Sequence, residues 1–196
     1  MAKKQATSRK LQAIKTKKRL FKSAVELMDD HGYENVTIED ISRKAGVSVG
    51  AFYHYYKSKS DIMLELYMQI DDFFNDVVAP QIVSDDVFEN IRAYFANYAV
   101  YQSDKGYNHV KLLFETHDRL FVDKSRAMYS LLREVLEKGR AAGQISEKYS
   151  IEEIEDQYFV FARGLVYDWI LHESDYDMEE RMLRRIDMLS HSFRAI

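Results

Sequence analysis

Between Thr37 and Lys59 the chain carries residue types that can grip nucleic acid without making or breaking a bond. Ser48, Val49 and Gly50 are small and leave the backbone free to approach base edges. Tyr53, His54 and Tyr56 follow with long polar tips, then Lys57 and Lys59 with cations. Tyr53, His54 and Lys59 are expected on phosphates, with Thr37 and Arg43 in support, because such contacts fix a protein on the duplex while base edges specify the site. Covalent chemistry has no comparable foothold. The chain holds no Gly-x-Ser-x-Gly elbow, phosphate loop, His-Glu-x-x-His pair or dinucleotide glycine pattern, and no cysteine. His109 and His117 are the pair that could invite a metal. Eight residues apart on a helix they lie about 80° out of line, and no carboxylate stands in register with them. The expectation is no enzyme, no metal and no cofactor.

Two short helices and the start of a third must position these residues. Thr37 and Asp40 have the spacing of a capping box, with Val36 and Ile41 as a hydrophobic staple. Ile38, Ile41 and Ala45 then share a face. Gly46 can take the left-handed conformation that ends a helix, and Ser48 can cap the next, whose Phe52 and Tyr55 would face the same small core. Ser58 and Asp61 repeat the capping pattern and open the third. Helix, three-to-four-residue glycine turn, helix is the grammar of a motif whose second helix lies in a DNA major groove.

The runs VTIEDISRKA and GVSVGAFYHYYKSKSDI resemble the signature of the tetracycline-repressor (TetR) family of bacterial transcription regulators, closely from Leu20 to Leu66 and by helix layout beyond. Ser42 departs from a more usual alanine and Ser60 from a common glutamate. The resemblance implies an N-terminal DNA-binding domain of three helices. It also implies a variable all-helical domain that binds a small ligand and forms a homodimer, with the helix after Lys59 as the link and relay between them.

Composition agrees with an all-α chain of about nine helices: 196 residues, 46% hydrophobic, with a single proline. The expected division is 1–58 for DNA and 59–196 for ligand and dimer. The net charge of −4 hides an asymmetry. Residues 1–60 carry 13 Lys and Arg against 6 Asp and Glu, whereas residues 61–196 carry 15 against 26. The basic half suits phosphate contacts and the acidic half would stay off the duplex. Nine basic residues and no acidic one precede Glu26. The first eight or so are expected to be disordered, and the basic tail reads equally as a solubilising segment or as an arm for phosphates or the minor groove. No apolar stretch follows it as in a signal peptide, and none is long enough to span a membrane. A cysteine-free chain suits a reducing cytoplasm.

In the acidic half, aromatics mixed with polar groups resemble a small-molecule pocket. Tyr94, Tyr98, His109, Phe114, His117 and Tyr158 are the expected lining, for a largely apolar or aromatic effector. Ile154, Phe161, Gly164, Leu165 and Trp169 form a stripe on one helix, and Met182, Ile186, Leu189 and Phe193 on the next. These are the expected dimer interface, paired with their copies in a four-helix bundle. Such stripes can equally face their own core. An aromatic core without a pocket is the competing expectation, in which the second domain only dimerises or recruits a protein.

Overall fold

The structure, a computed structural model, describes residues 2–115 and 119–195. Among them nine α-helices make the fold, with one isolated antiparallel bridge, Ile145 to Arg194, and no named strand. They are α1 (Ala2–His31), α2 (Ile38–Ala45), α3 (Val49–Tyr55), α4 (Lys59–Phe73), α5 (Val87–Lys105), α6 (Tyr107–Glu115), α7 (Ala127–Ala141), α8 (Ile151–Leu171) and α9 (Met178–His191). Contrary to expectation, α1 starts at Ala2, since no glycine or proline interrupts the chain before Gly32. None of the described helices is long and apolar enough to cross a membrane. The chain divides into two compact units, and the division falls inside α4, between Leu66 and Tyr67.

The first unit is α1 to α3 with the start of α4. Leu20, Ala24 and Met28 of α1, Ile41 and Ala45 of α2, Phe52 of α3, and Ile62, Met63 and Leu66 of α4 are buried together with Val36 and Tyr56. Ion pairs fasten its rim: Lys17 to Glu65 at 2.7 Å and Lys44 to Glu26 at 3.1 Å. Both are partly exposed and contribute little beyond orientation.

In the second unit α5 packs against α7, α8 and α9. Its core is aromatic. Phe95 stacks on Tyr158 with centroids 5.4 Å apart, Tyr158 meets Phe193 at 5.5 Å, and Tyr129 meets Phe159 at 3.9 Å. Ser150 and Glu153 form a capping box at the start of α8. After α9 the chain returns along the α7–α8 loop, where Ser146 N–H donates to the Phe193 carbonyl at 2.8 Å and Ala195 N–H to that of Gln144 at 2.9 Å. Between α4 and α5 come a π-helical turn, Phe74–Val78, and a 3-10 turn, Ala79–Gln81, which holds Pro80.

The tightest approach is between α7 and α5. A Cβ on Gly139 would lie 2.4 Å from Val87 Cγ2 and 2.7 Å from Val87 Cβ. Val87 cannot easily retreat, because its amide donates to Gln144 Oε1 at 2.7 Å. Alanine at a helical glycine ordinarily gains about 1 kcal/mol, but overpacking of this kind costs about 1–3 kcal/mol. Gly139→Ala is therefore expected to lower the unfolding free energy, read as a reduced urea midpoint with unchanged slope. A midpoint at or above the wild-type value would contradict the close packing.

Candidate nucleic-acid interface and interior cavity

The helix–turn–helix is built by local hydrogen bonds that its sequence dictates. Asp40 N–H donates to Thr37 Oγ1 at 3.1 Å, and Thr37 N–H donates back to Asp40 Oδ2 at 3.2 Å. The Thr37 hydroxyl and amide hold the Asp40 carboxyl below its ordinary range, with Arg43 adding an ion pair. Gly46 stands at φ +64°, its N–H on the Arg43 carbonyl, and Val47 N–H reaches the Ser42 carbonyl at 3.0 Å. Ser48 Oγ then accepts from Ala51 N–H at 3.1 Å and starts α3. Phe52 turns inward. Gly50, Tyr53, His54 and, just past the helix end, Lys57 recur at helical spacing on the opposite side and are exposed, as are Thr37, Arg43 and Ser48; Val49 is half-buried. No atom within the chain requires the glycine at position 50, since a Cβ there would meet only Ser48 Oγ, at 3.8 Å.

Two expected contacts have other work. Tyr56 is buried, and its hydroxyl donates to Glu65 at 3.0 Å. Burial, with the Glu65 carboxylate beside it, pushes the phenol well up. It turns inward because α3 ends at Tyr55 and Tyr56 is extended (φ −136°, ψ 134°), which breaks the helical spacing. Tyr55, expected in the core, is only half-buried. Lys59 Nζ donates to the carbonyls of Tyr33 and Val36, both at 2.7 Å, and lies 4.4 Å from the centre of the Tyr33 ring. Two of its three N–H groups are thus taken up in pinning the start of α4 to the α1–α2 loop. Asp61, expected to close a capping box with Ser58, accepts instead from Lys57 N–H at 2.7 Å.

In the second unit, side chains of α4 to α8 line a partly open cavity of about 20 Å³, enough for about one water. Ile70, Tyr98, Met128 and Phe159 give it apolar walls, while Gln102, Arg126, Tyr129 and Arg163 bring polar groups to it. Arg126 is neutralised, with Nε on Asp71 Oδ2 at 3.0 Å and the guanidinium 4.9 Å from the Tyr67 ring centre. Arg163 Nη1 donates to the Tyr129 hydroxyl at 2.6 Å. Burial pushes the Tyr98 phenol up to about 12, with nearby Arg163 opposing.

Of the six expected lining residues, Tyr98 reaches this cavity. Tyr94 and Tyr158 are closed core instead: the Tyr94 hydroxyl donates to the Met128 carbonyl at 2.7 Å, and that of Tyr158 pairs with Ser190 Oγ at 2.8 Å. His109 is buried away from it and pushed down to about 4 by burial and by Lys105, so it is neutral at pH 7. Phe114 is half-buried and stacks with Tyr167 at 5.9 Å. His117 lies outside the described residues. Gln102, Arg126 and Tyr129 had no expected role in the pocket. The signal available for Arg126 was a cation at the N-terminus of α7, where the helix dipole disfavours one.

The expected dimer stripes mostly face their own unit. Ile154, Leu165 and Trp169 of α8, Met182 and Ile186 of α9, and Phe193 are buried within it; Phe161 and Leu189 are half-buried and Gly164 is exposed. The outward apolar row of α8 is a different one. Val160, Tyr167 and Leu171, with Gly164 among them, are 59%, 50% and 65% exposed, and Met188 of α9 is exposed as well.

Residues 20–66, which span the helix–turn–helix, match the family model described as bacterial regulatory proteins, tetR family. The chain is similar to the fatty acid metabolism regulator protein of Bacillus subtilis (strain 168), 22% identical over 168 residues, 80% of this chain and 84% of that one. It is likewise similar to the probable acrEF/envCD operon repressor of Escherichia coli (strain K12), 21% identical over 94% of this chain and 89% of that one. Among solved structures, the transcriptional regulator FadR from Bacillus subtilis, in complex with stearoyl-CoA, superposes with a TM-score of 0.79 at 19% identity, covering 87% of this chain and 96% of that one. The segment that matches the tetR family of bacterial regulatory proteins, residues 20–66, thus folds as a capped helix–turn–helix, and an all-helical unit follows it.

Proposed function

We propose that the protein is a ligand-responsive transcription regulator, most simply a repressor, which binds a pseudo-palindromic operator as a homodimer in the cytoplasm and leaves it when a small effector enters the second unit. The observation that carries the DNA half is Gly50. A glycine inside an exposed helix costs about 1 kcal/mol relative to alanine, and nothing in the chain needs it there. The absent side chain leaves room for something outside the chain to approach the backbone. In this reading Ser48, Val49 and Gly50 lie at base edges, while Tyr53, His54 and Lys57 hold phosphates with Thr37 and Arg43 behind them. Tyr56 and Lys59 shape the unit rather than touch the duplex. Effector binding would shift the population away from the DNA-competent state by its differential affinity for the two states.

The dimer half rests on Val160, Gly164, Tyr167 and Leu171, an apolar row on α8 whose side chains stay half or more exposed even with Phe114 against Tyr167. Two copies meeting across a two-fold axis would bury it isologously. A second reading, in which the acidic unit only dimerises or recruits a protein, is favoured by the closed packing of Tyr94 and Tyr158, whose hydroxyls are both taken up within the unit. The likeness to a FadR structure holding stearoyl-CoA supports the effector reading instead.

Gly50→Ala separates folding from binding. The variant is expected to be as stable as the wild type or up to about 1 kcal/mol more so, while its affinity for a selected operator duplex falls about tenfold or more, as a lost close contact of about 1.4 kcal/mol requires. Wild-type affinity in a mobility-shift titration would remove α3 from the groove. Leu171→Glu is expected to sediment as a monomer at concentrations where the wild type is a dimer; a persistent dimer would place the interface elsewhere.

A further inference from the structure

We propose that the interior cavity takes the carboxylate of an aromatic acid, which replaces the Tyr129 hydroxyl on Arg163. The inference rests on the effector reading above and names the chemical class of the effector. Among the described residues Arg126 has Asp71 as its counter-ion, whereas the hydrogen-bond partner of Arg163 is a phenol and no carboxylate pairs with it. A half-buried cation beside aromatic walls, with no anion of its own, is costly unless something supplies one. Gln102 gives the second, independent sign. It is only 5% exposed, lines the same cavity, and its Oε1 has no hydrogen-bond partner. Buried polar atoms are normally satisfied, so the end of this amide that is not engaged with Tyr98 is open to a group that the chain does not supply. The two amide ends are interchangeable by a half-turn, and the turned amide would offer Nε2–H to a carboxylate oxygen.

The walls select the rest of the molecule. The rings of Tyr98, Tyr129 and Phe159 line the cavity, and those of Tyr129 and Phe159 lie 3.9 Å apart, tilted by 34°. At about 20 Å³ the cavity holds no aromatic acid as it stands. Room is made when Tyr129 swings off Arg163, so the phenol is the placeholder and the acid its replacement. A carboxylate can accept two parallel N–H bonds from a guanidinium, a stronger arrangement than one phenol oxygen provides. Tyr129 belongs to α7 and Arg163 to α8, so the exchange cuts a tie between two helices of the unit. A ligand would thereby bind one arrangement of these helices better than the other, as an effector must.

The test uses the full chain with benzoate and its uncharged isostere benzamide as probes, read by thermal melting and titration calorimetry. Benzoate is expected to raise the melting temperature saturably, by about 3 °C at ten times its dissociation constant, and benzamide not to. Arg163→Gln should weaken benzoate about 10- to 100-fold, the value of a charge-assisted hydrogen bond. Tyr129→Phe, which removes the placeholder and keeps the ring, should tighten it. Unchanged benzoate affinity in Arg163→Gln overturns the proposal. So does unchanged or weaker affinity in Tyr129→Phe, which decides the matter if the arginine variant does not fold. Equal binding of benzamide and benzoate would refute the acid while leaving the effector reading intact. Binding of neither probe would refute it as well, and the effector reading would then need support from release of operator by a ligand of another class.

Discussion

Two carbonyls at the end of α2, those of Ser42 and Arg43, lie beyond the reach of the helix's own amides. They are satisfied by Val47 N–H and Gly46 N–H, and that pairing requires the left-handed backbone at Gly46. Any side chain there would be strained, since non-glycine residues take this conformation at a cost of about 1 kcal/mol or more. The turn sets the direction in which the chain leaves α2. Ser48 follows two residues later and caps α3, which leaves no slack for a different crossing. The outer face of α3 is presented because Phe52 and Tyr56 are drawn into the core on its other side. Lys59 then locks the exit by bonding the carbonyls of Tyr33 and Val36, just ahead of α2. The helix–turn–helix is therefore a rigid object, and the glycine at position 50 costs helix stability that nothing within the chain recovers.

The second unit solves a different problem. It packs large rings in its interior and must place their hydroxyls. Tyr94 and Tyr158 do so with a carbonyl and a serine, and so become fixed core. Near the cavity the solution is less complete. Glu155 is wholly buried with one oxygen on Arg133 at 2.8 Å and the other unpaired, and Gln102 has an unpaired oxygen too. Removing one partner from such a network costs more than the bond itself is worth, so the arrangement is sensitive to any group that enters it. A tie between α7 and α8 made by a guanidinium and a phenol is one that a better acceptor can displace. That sensitivity is what a domain needs if a small molecule is to change its shape.

What was legible in the sequence was local. The capping box at Thr37, the glycine at position 46 and the helix start at Ser48 each involve residues three or four apart, and each stands where the pattern put it. Errors entered where the answer depended on distant partners. Tyr55 and Tyr56 exchanged places because α3 ends one residue earlier than a helical count assumes. Lys59 read as a phosphate ligand because its partners lie more than twenty residues away. The aromatic stripe could not be sorted into core and cavity, since Tyr94 and Tyr98 are both buried tyrosines on one helix, one turn apart. α8 carries two apolar rows, and the more hydrophobic one, with Ile154 and Trp169, was taken by its own core. The less obvious row, with Val160 and Leu171, was left outside.

The proposed regulation depends on α3 reading DNA from a dimer. The most direct measurement is selection of bound duplexes from a random pool, with the winner titrated at several salt concentrations and its stoichiometry fixed by sedimentation. The account predicts a palindromic site whose half-sites lie about one helical turn apart or a multiple of it, two chains per duplex, and affinity that falls steeply with salt. Salt-sensitive binding without a preferred sequence would contradict it, leaving the basic unit a generic phosphate binder and its capped, glycine-bearing helix without a purpose.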